Sequence, residues 1–256
     1  MNPTIELSII VPAYNEAERI LPTLQRMVEY SMSQDYATEI IVVDDGSRDA
    51  TRRVVSEFAA QNPNVRLEKY DDEKGAPLNR GKGFAVRWGM LRATGKYRLF
   101  SDADLSTPIE DVEKLWPLLK DGKCAIAIAS LALPQSNLTV HQPWYREAMG
   151  RTFNKFVQLL IVPGIQDTQC GFKLFEDECA KRIFGACVID GFGFDTEVLF
   201  LARKWEYRVL EVAVTWRHQE QSRVNPLVAP IQMLREIVQV RRNDRRGLYR
   251  QNRTLC

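Results

Sequence analysis

Three features of the 256-residue chain predict an α/β fold with an open, mainly parallel sheet flanked by helices. Short β-branched segments alternate with stretches of helical periodicity, which is the chain order of a parallel sheet. Each of three such strands ends in a polar turn, with the sequences PAYNE, DDGS and SDADLS. Because ligands of these sheets gather beyond the carboxyl ends of the strands, the three turns are expected to meet in one crevice.

The first two units follow this plan closely. The strand LSIIVP is a continuous apolar run, which is typical of a strand buried on both faces. The helix after it is expected to begin with Asn15 as its N-cap, and Glu18 is expected to complete a capping box. A second strand, EIIVVD, ends at Asp44 and leads through a polar turn into a second amphipathic helix.

The third unit combines the strand VRLEKY, a long polar loop, a helix from Lys82 toward Thr94 that ends at Gly95, and the strand YRLFS. After the strand CAIAIAS the alternation weakens, and residues 131–143 are expected to form a loop.

Two later stretches, residues 144–162 and 226–240, have apolar positions at helical spacing. Each is predicted to be an amphipathic helix that either faces the core or lies at a membrane interface.

Composition and charge narrow the classes of partner. The net charge is +2, from 35 Lys and Arg against 33 Asp and Glu, so no general attraction to nucleic acid is expected. Five cysteines and two histidines lack the paired spacing of metal ligands, which argues against a soft-metal site or a disulfide framework. Without a basic leader or a run of 18 apolar residues, the chain is expected to be cytoplasmic, either soluble or peripheral on the cytoplasmic face of a membrane.

The C-terminal region is rich in arginine. This basic segment is either a solvated tail or a surface for anionic lipid. Its arginines are Arg241, Arg242, Arg245, Arg246, Arg250 and Arg253.

The turn after the strand YRLFS holds two carboxylates that can reach one cation. Asp102 and Asp104 are separated by one alanine, and a turn releases their side chains from the strict alternation of a strand. Oxygen ligands without His or Cys suit Mg²⁺ or Mn²⁺, which complete their coordination with water and phosphate oxygens. Such a cation would offset charge on a departing nucleotide diphosphate. The alternative is that these acids are ordinary turn residues.

The turns after the first two strands carry groups suited to a nucleoside. Asp44 can accept a hydrogen bond from the N–H of a nucleobase, and Tyr14 offers a ring for the base or ribose. Glu16 can accept from a ribose hydroxyl, while Pro12 restricts the turn. For the turn after the first strand, the alternative is that its polar residues simply start the next helix. For the turn after the second strand, the alternative is that Asp45 and Ser47 cap the helix that follows it.

The segment NRGKGFAV places Lys82 between two glycines, just before a helix. A cation at a helix N-terminus suits contact with phosphate or carboxylate, although paired glycines also mark simple tight turns. The chain has neither a P-loop nor a G-x-G-x-x-G fingerprint after its first strand.

In this order, the segments SIIVPAYNEAERI, EIIVVDDGSRDAT, NRGKGFAVRWGM, FSDADLSTP and DTQCGFKLF resemble the family 2 glycosyltransferases of GT-A fold, and among them the dolichyl-phosphate and polyprenyl-phosphate glucosyltransferases. The resemblance runs from about Leu7 to about Arg242. It implies inverting, metal-assisted transfer of a hexose from a nucleotide sugar, with UDP-glucose favoured, to the phosphate of a long isoprenoid lipid. A mannosyltransferase using GDP-mannose and a family 2 enzyme with a non-lipid acceptor are the alternatives.

The resemblance also implies residue roles. The implied nucleotide-binding positions are Pro12, Tyr14, Glu16, Asp44, Lys82, Asp102, Ala103 and Asp104. The implied catalytic set is Asp102, Asp104, Asp167, Asp195 and Arg146, with Asp102 and Asp104 as the metal ligands. The implied acceptor-phosphate residues are Arg146, Arg151 and Gln169, and the implied diphosphate loop contains Ser222 and Arg223. Two positions depart from the family pattern: Leu131 stands where an arginine is common, and Ser106 where related mannosyltransferases have Gln.

A phosphate acceptor simplifies the expected chemistry. A phosphate monoester, with a second pKa of about 6, is already an anion near neutral pH and needs no general base. Asp167 and Asp195 are therefore expected to orient sugar hydroxyls or an arginine rather than to remove a proton.

Two other classes of protein are alternatives to this function. One is a sugar nucleotidyltransferase, which would carry a glycine-rich loop after its first strand. The other is a non-catalytic nucleotide-sugar-binding module.

The domain prediction is a single catalytic domain over residues 1–242. Its nucleotide-sugar half ends at about residue 106, and its acceptor half covers residues 107–242. Residues 243–256 are predicted to form a basic tail.

Overall fold

The computed structural model describes residues 4–138, 162–216 and 229–250. Its helices are α1 (Ile20–Met32), α2 (Thr51–Ala59), α3 (Lys82–Arg92), α4 (Val112–Lys120), α5 (Asp177–Ala186), α6 (Phe194–Lys204) and α7 (Ala229–Arg245). Its strands are β1 (Leu7–Ala13), β2 (Thr38–Asp44), β3 (Val65–Lys69), β4 (Tyr97–Ser101), β5 (Ile126–Ser130), β6 (Asn137–Leu138), β7 (Phe172–Glu176), β8 (Val209–Ala213) and β9 (Thr215–Trp216). A 3₁₀ turn, Ile109–Asp111, precedes α4.

Seven strands form one sheet in the order β3-β2-β1-β4-β7-β5-β8. The first four are parallel neighbours, β7 runs antiparallel to both β4 and β5, and β8 is again parallel to β5. The predicted α/β class with a mainly parallel sheet is confirmed. Since the chain passes from β1 to β2 on one side and later returns to β4 on the other, the crevice at the carboxyl end of β1 is a topological switch point.

Two apolar layers cover the two faces of this sheet. Ile9 and Val11 of β1 belong to one layer with α1 and α4, whereas Ile10 between them belongs to the other with α3, α5 and α6. Every residue of β1 is buried, as the continuous apolar run predicts. The sheet is therefore covered on both faces, and the carboxyl-end turns are left to form a site.

The start of α1 differs from the sequence prediction. The helix begins at Ile20, and no side chain caps its first turn. Asn15 instead has a φ of 56°, its backbone N–H donates to Ser47 Oγ at 2.9 Å, and its Oδ1 accepts from the Arg48 N–H at 2.8 Å. The predicted capping box of Asn15 and Glu18 is wrong, because the side chain that a local rule assigns to capping joins the first carboxyl-end turn to the second.

The C-terminal part of the chain is packed onto the domain. Helix α7 continues to Arg245, beyond the boundary at residue 242 that the sequence suggests. Tyr249 is fully buried, its hydroxyl donates to Glu197, and Asn243 Nδ2 donates to Tyr249 Oη at 3.1 Å. Residues 243–250 are thus anchored to the domain through Tyr249, and the remaining residues of the predicted tail, 251–256, lie outside the described residues.

Two predictions concern segments that are only partly described. The predicted loop over 131–143 contains, in its described part, the short strand β6, which pairs in parallel with β9. The predicted helix over 144–162 lies outside the described residues except for Val162, which is buried. In the three described ranges, no helix combines the length and apolarity needed to cross a membrane.

Candidate active site

The loop that leads into Lys82 is attached to the end of β2 by Asp45. The buried Asp45 carboxylate accepts hydrogen bonds from the Tyr70 hydroxyl at 2.5 Å, the Arg80 N–H at 2.8 Å and the Gly81 N–H at 2.9 Å. Burial raises the pKa of Asp45, while these hydrogen bonds oppose that rise. Asp45 thus positions the Lys82 loop. The first residue of α2, Thr51, donates its N–H to Asp49 Oδ1 at 2.9 Å, so neither Asp45 nor Ser47 is the cap of that helix.

Asp44 lies fully buried at the end of β2. Its carboxylate accepts from the backbone N–H groups of Gly46 and Ser47, each at 3.1 Å, and pairs with Arg52 Nε at 2.5 Å. Gly46 has a φ of 75°, and a Cβ there would lie 2.5 Å from the backbone of Leu78. The local backbone therefore holds the Asp44 carboxylate in a defined orientation. Its contact with a nucleobase stays a prediction.

Asp102 follows β4 and lies between a lysine and a glycine. Its Oδ1 is 2.7 Å from Lys82 Nζ, and its backbone N–H donates to the Gly171 carbonyl at 3.0 Å. A Cβ on Gly171 would lie only 2.0 Å from Asp102 Oδ2, so the missing side chain makes room for the carboxylate. Burial raises the pKa of Asp102, Lys82 lowers it, and the nearby Asp104 raises it.

Asp104 completes the pair on the same turn. Its Oδ1 accepts from the Ser106 N–H at 3.0 Å, and Leu105 between them has a φ of 49°. The carbonyl of Ala103 accepts from Thr23 Oγ1 at 2.8 Å, which ties the turn to α1. The turn over residues 102–104, called the D-A-D turn, is thus held by the contact of Asp102 with Gly171 at its start and by the Ser106 N–H at its end.

Arg19 is a cation beside the acidic turn that sequence reasoning missed. Its Nη2 donates to Glu16 Oε1 at 2.7 Å, and the hydrogen bond with Glu16 raises the pKa of Arg19, as do the charges of Asp104 and Asp102. Glu16, predicted to accept from a ribose hydroxyl, is buried and paired with this arginine. The ring of Tyr14 is 38% exposed, whereas Pro12 is buried within β1.

The two acids fit a hard divalent cation. Across the described residues, no group of three or more His, Cys, Asp or Glu side chains could hold a metal ion. The pair Asp102 and Asp104 would supply two oxygen ligands to such a cation, whose usual further ligands are water and phosphate oxygens. This partial protein coordination is the usual pattern for Mg²⁺ at phosphate sites.

A buried ion pair lies behind this turn. Lys173 Nζ on β7 is 2.5 Å from Asp195 Oδ1 and donates to the Cys170 carbonyl at 2.5 Å. Both side chains of the pair are almost completely buried. Asp195 also acts on Lys82. Burial lowers the pKa of Lys82, but the negative charges of Asp102 and Asp195 raise it by more than burial lowers it. The net shift is upward, and Lys82 is protonated. Sequence reasoning missed Lys173, for which the only signal was a lysine inside the apolar strand GFKLF.

Asp167 joins its own loop to the end of β5. Its carboxylate accepts from the Leu131 N–H at 2.9 Å and the Gln169 N–H at 3.2 Å, and its backbone N–H donates to Glu211 at 2.9 Å. Burial raises the pKa of Asp167. Gln169 Nε2 donates to Thr168 Oγ1 at 3.3 Å. Leu131, where an arginine was expected, thus contributes a backbone group to this contact.

The predicted site residues fall into three groups. Lys82, Asp102, Asp104 and Asp195 lie together at the carboxyl edge of the sheet, as their contacts and mutual pKa effects show. The other described residues of the predicted set lie in or beside the turns and loops described above: Pro12, Tyr14, Glu16, Asp44, Ala103, Asp167 and Gln169. Four predicted side chains, Arg146, Arg151, Ser222 and Arg223, lie outside the described residues.

The sequence profile of Glycosyl transferase family 2 matches residues 8–184. The chain belongs to this family. This family 2 glycosyltransferase is 38% identical over 257 residues to dolichyl-phosphate beta-glucosyltransferase of Dictyostelium discoideum, a match that covers 96% of this chain and 77% of that protein. It is 33% identical over 267 residues to the Homo sapiens protein of the same name, covering 99% of this chain and 80% of that one. The predicted family and the predicted glycosyltransferase activity are confirmed.

The fold of this glycosyltransferase also matches a solved structure. Glucosyl-3-phosphoglycerate synthase from Mycobacterium tuberculosis, in complex with Mn²⁺, UDP-glucose and phosphoglyceric acid, superimposes with a TM-score of 0.66. The two proteins are 18% identical, and the match covers 92% of this chain and 79% of the other. At this identity the likeness shows the fold alone, and it confirms the predicted GT-A fold.

Proposed function

We propose that this family 2 glycosyltransferase transfers glucose, with inversion, from UDP-glucose to the phosphate of dolichyl phosphate or another polyprenyl phosphate. The observation that carries the proposal is the Asp102 carboxylate, which lies between Lys82 and Gly171 and is followed by Asp104 at the switch point of the sheet. This arrangement suits a nucleotide diphosphate and a divalent cation. The names of the Dictyostelium and human relatives support glucose and dolichyl phosphate as the sugar and the acceptor.

At the donor end, each carboxyl-end turn has one proposed task. Pro12, Tyr14, Glu16 and Asp44 would bind the nucleoside, and Lys82 would approach the diphosphate sugar. Asp102 and Asp104 would hold Mg²⁺ or Mn²⁺, which supplies positive charge to the leaving diphosphate when bound. The Mn²⁺ and UDP-glucose complex of the Mycobacterium enzyme supports this choice of ion and donor.

At the acceptor end, the contacts of the two remaining acids support roles in positioning. Asp195 is paired with Lys173, and Asp167 accepts from two backbone N–H groups. Neither carboxylate is arranged as a solvent-exposed base, which agrees with an acceptor that is already an anion. Arg146, Arg151 and Gln169 are proposed to hold the acceptor phosphate, with Ser222 and Arg223 on the diphosphate.

The exposed side chains of α7 and of the segment that follows it support attachment to a membrane surface. Val238 on α7 and Leu248 after it are apolar and are 66% and 55% exposed. Exposed arginines occur along the same stretch of chain: Arg235, Arg242, Arg245, Arg246 and Arg250. A basic surface with apolar side chains suits anionic lipid headgroups, and we propose that it holds the enzyme on the cytoplasmic face, where a lipid acceptor is within reach.

A donor and acceptor screen tests the proposal. UDP-glucose and GDP-mannose are each incubated with a short phosphopolyprenol or with 3-phosphoglycerate, and release of UDP or GDP is measured. We expect release of UDP only with the phosphopolyprenol, loss of this activity with a chelator, and recovery with Mn²⁺ or Mg²⁺. Faster turnover of GDP-mannose, or transfer to 3-phosphoglycerate alone, would contradict the proposed donor or acceptor.

Asp104→Ala is the matching variant for the metal site. We expect it to abolish transfer without loss of fold, because one of the two proposed carboxylate ligands is removed. Asp121→Ala is the control, since Asp121 lies in an exposed turn with Lys123 as its partner at 2.8 Å. Transfer at the wild-type rate by Asp104→Ala with saturating metal would overturn the assignment of this residue.

A further inference from the structure

The loop between α5 and α6, residues 187–193, lies between two parts of the chain with different proposed tasks. On one side it contacts the turn that carries Lys82, and on the other it contacts α7. It then leads directly into Asp195 near the start of α6. A shift of this loop would therefore move groups at the donor end of the site.

The contact with the Lys82 turn is made backbone to backbone. The Asp190 carbonyl accepts from the Phe84 N–H at 3.2 Å. A Cβ on Gly81 would lie 2.5 Å from that carbonyl oxygen, and one on Gly83 would lie 2.6 Å from the Ile189 carbonyl oxygen. Lys82 thus lies between two glycines that touch the loop, so a shift of the loop would change the packing on both sides of Lys82.

Two arginines strengthen the same contact. The Asp190 carboxylate is 2.9 Å from Arg87 Nη2 and 3.2 Å from Arg80 Nη2, and Arg87 also donates to the Cys187 carbonyl at 2.6 Å. The loop is therefore attached to α3 and its preceding turn along most of its length.

The contact with α7 depends on one carboxylate. Glu236 Oε2 accepts from the Gly193 N–H at 2.5 Å, and Glu236 Oε1 accepts from Gln232 Nε2 at 3.0 Å. A Cβ on Gly191 would lie 2.0 Å from Glu236 Oε1, and one on Gly193 would lie 2.6 Å from Glu236 Cβ. Both glycines of the sequence GFG therefore leave space for this side chain.

We infer that Glu236 is a positioning residue that couples α7 to the donor end of the active site through the 187–193 loop. It does so by holding Gly193, two residues before Asp195, while the opposite face of the loop holds Lys82. The role of the site in binding a nucleotide sugar rests on the proposed function, whereas the mechanical link does not. Because α7 also carries the basic surface, its docking on a membrane would bear on the geometry around Lys82.

Hydrogen exchange tests the mechanical link without any substrate. In Glu236→Ala we expect faster amide exchange both in residues 188–195 and across the loop in residues 81–85, since an N–H to carboxylate hydrogen bond and the packing around it are lost. Glu236→Gln keeps an acceptor oxygen and should restore slow exchange. Glu178→Ala is the matched control, because Glu178 is 91% exposed on α5. Unchanged exchange of residues 81–85 in Glu236→Ala would overturn the inference.

Donor binding separates positioning from general destabilisation. We expect Glu236→Ala to weaken binding of UDP-glucose with Mn²⁺, measured by calorimetry, by about tenfold and to raise the donor KM similarly, with the acceptor KM unchanged. A purely structural role would lower kcat through the active fraction and leave the donor affinity of the folded protein intact, which would also overturn the inference. If exchange in Glu236→Ala changes as expected but the wild type transfers no glucose, the proposed function fails and the coupling stands.

Discussion

Gly171 and Lys173 lie two residues apart, and each acts on one carboxylate of the site. Gly171 leaves the space that the Asp102 carboxylate fills, and Lys173 neutralises Asp195 where little water can reach it. Neither residue would bind substrate in the proposed function, yet both determine where acidic oxygens lie. In a buried site, the positions of charges depend on such neighbours because an unpaired charge is costly.

Gly171→Ala should displace the Asp102 carboxylate. The new Cβ would lie 2.0 Å from Oδ2, so one of the two groups must move, and a misplacement of this size costs about 100-fold in kcat/KM. Weaker Mn²⁺ binding, followed by electron paramagnetic resonance, should accompany the loss. Gly185→Ala on α5 is the control, since a Cβ there meets no atom within 4 Å. Normal Mn²⁺ affinity in Gly171→Ala would show that Asp102 does not hold the ion.

Lys173→Met should destabilise the fold. It leaves Asp195 buried without its cation, which costs about 3–5 kcal/mol of the free energy of unfolding, measured in urea. Adding Asp195→Leu should recover much of this loss, because the double variant contains no unpaired charge. Equal instability of the single and double variants would mean that the lysine acts through packing and not through its charge.

The elements around the site are joined by side chains from other elements. Asn15 connects the turn after β1 to the turn after β2, and Asp45 connects β2 to the loop before α3. In the first turn of α6, the fully buried Glu197 accepts from the N–H groups of Val188 and Ile189 and from the Tyr249 hydroxyl. One carboxylate thus joins α6, the 187–193 loop and the end of the described chain.

The buried Glu197 should make stability depend on pH. Burial raises the pKa of Glu197 above its ordinary value of 4.5, so the native state binds this proton more tightly than the unfolded state. The contribution of Glu197 to stability therefore decreases as pH rises from 4.5 to its folded pKa, by at most about 1.4 kcal/mol per pH unit. Urea unfolding of wild type and Glu197→Gln between pH 4 and neutral pH measures this. A difference between them that does not change with pH would contradict the expected shift.

The molecule as a whole combines a candidate active site at the carboxyl edge of its sheet with a helix, α7, that carries exposed arginines. The carboxyl ends of β1, β2 and β4 meet at this edge, and α7 reaches the site through Glu236. The same helix presents arginines and Val238 to solvent. A membrane-bound acceptor and a donor from water would then approach a single enzyme from different directions.

Charge reversal at the end of α7 and just after it should release the protein from anionic vesicles. With about 1 kcal/mol per arginine near the surface, changing Arg242, Arg245 and Arg246 to Glu should weaken flotation with phosphatidylserine vesicles by at least about 100-fold. High salt should weaken wild-type binding as well. The control reverses three exposed cations elsewhere: Arg53, Lys74 and Lys123. Equal flotation of both triple variants would place the lipid contact on another surface.

Local pattern was enough to predict the sheet, its polar turns and the family. Each strand and helix buries one or both of its faces, so its apolar residues recur along the chain with the period of that element. This pattern correctly predicted that β2 ends at Asp44 and that β4 covers YRLFS. The ordered turn segments were distinctive enough to indicate the glycosyltransferases, and the acids on the D-A-D turn were recognised as candidate ligands from their chemistry.

The partners of those side chains depended on the folded arrangement. Nothing local indicates that β7 inserts antiparallel between β4 and β5, and this insertion brings Gly171 to Asp102 and Lys173 to Asp195. The sequence pattern assigned Asn15 to capping α1, but in the structure its backbone N–H donates to Ser47 Oγ. A side chain pairs with whichever group packing brings within hydrogen-bond reach, and between distant segments that group is set by strand order rather than by neighbours along the chain.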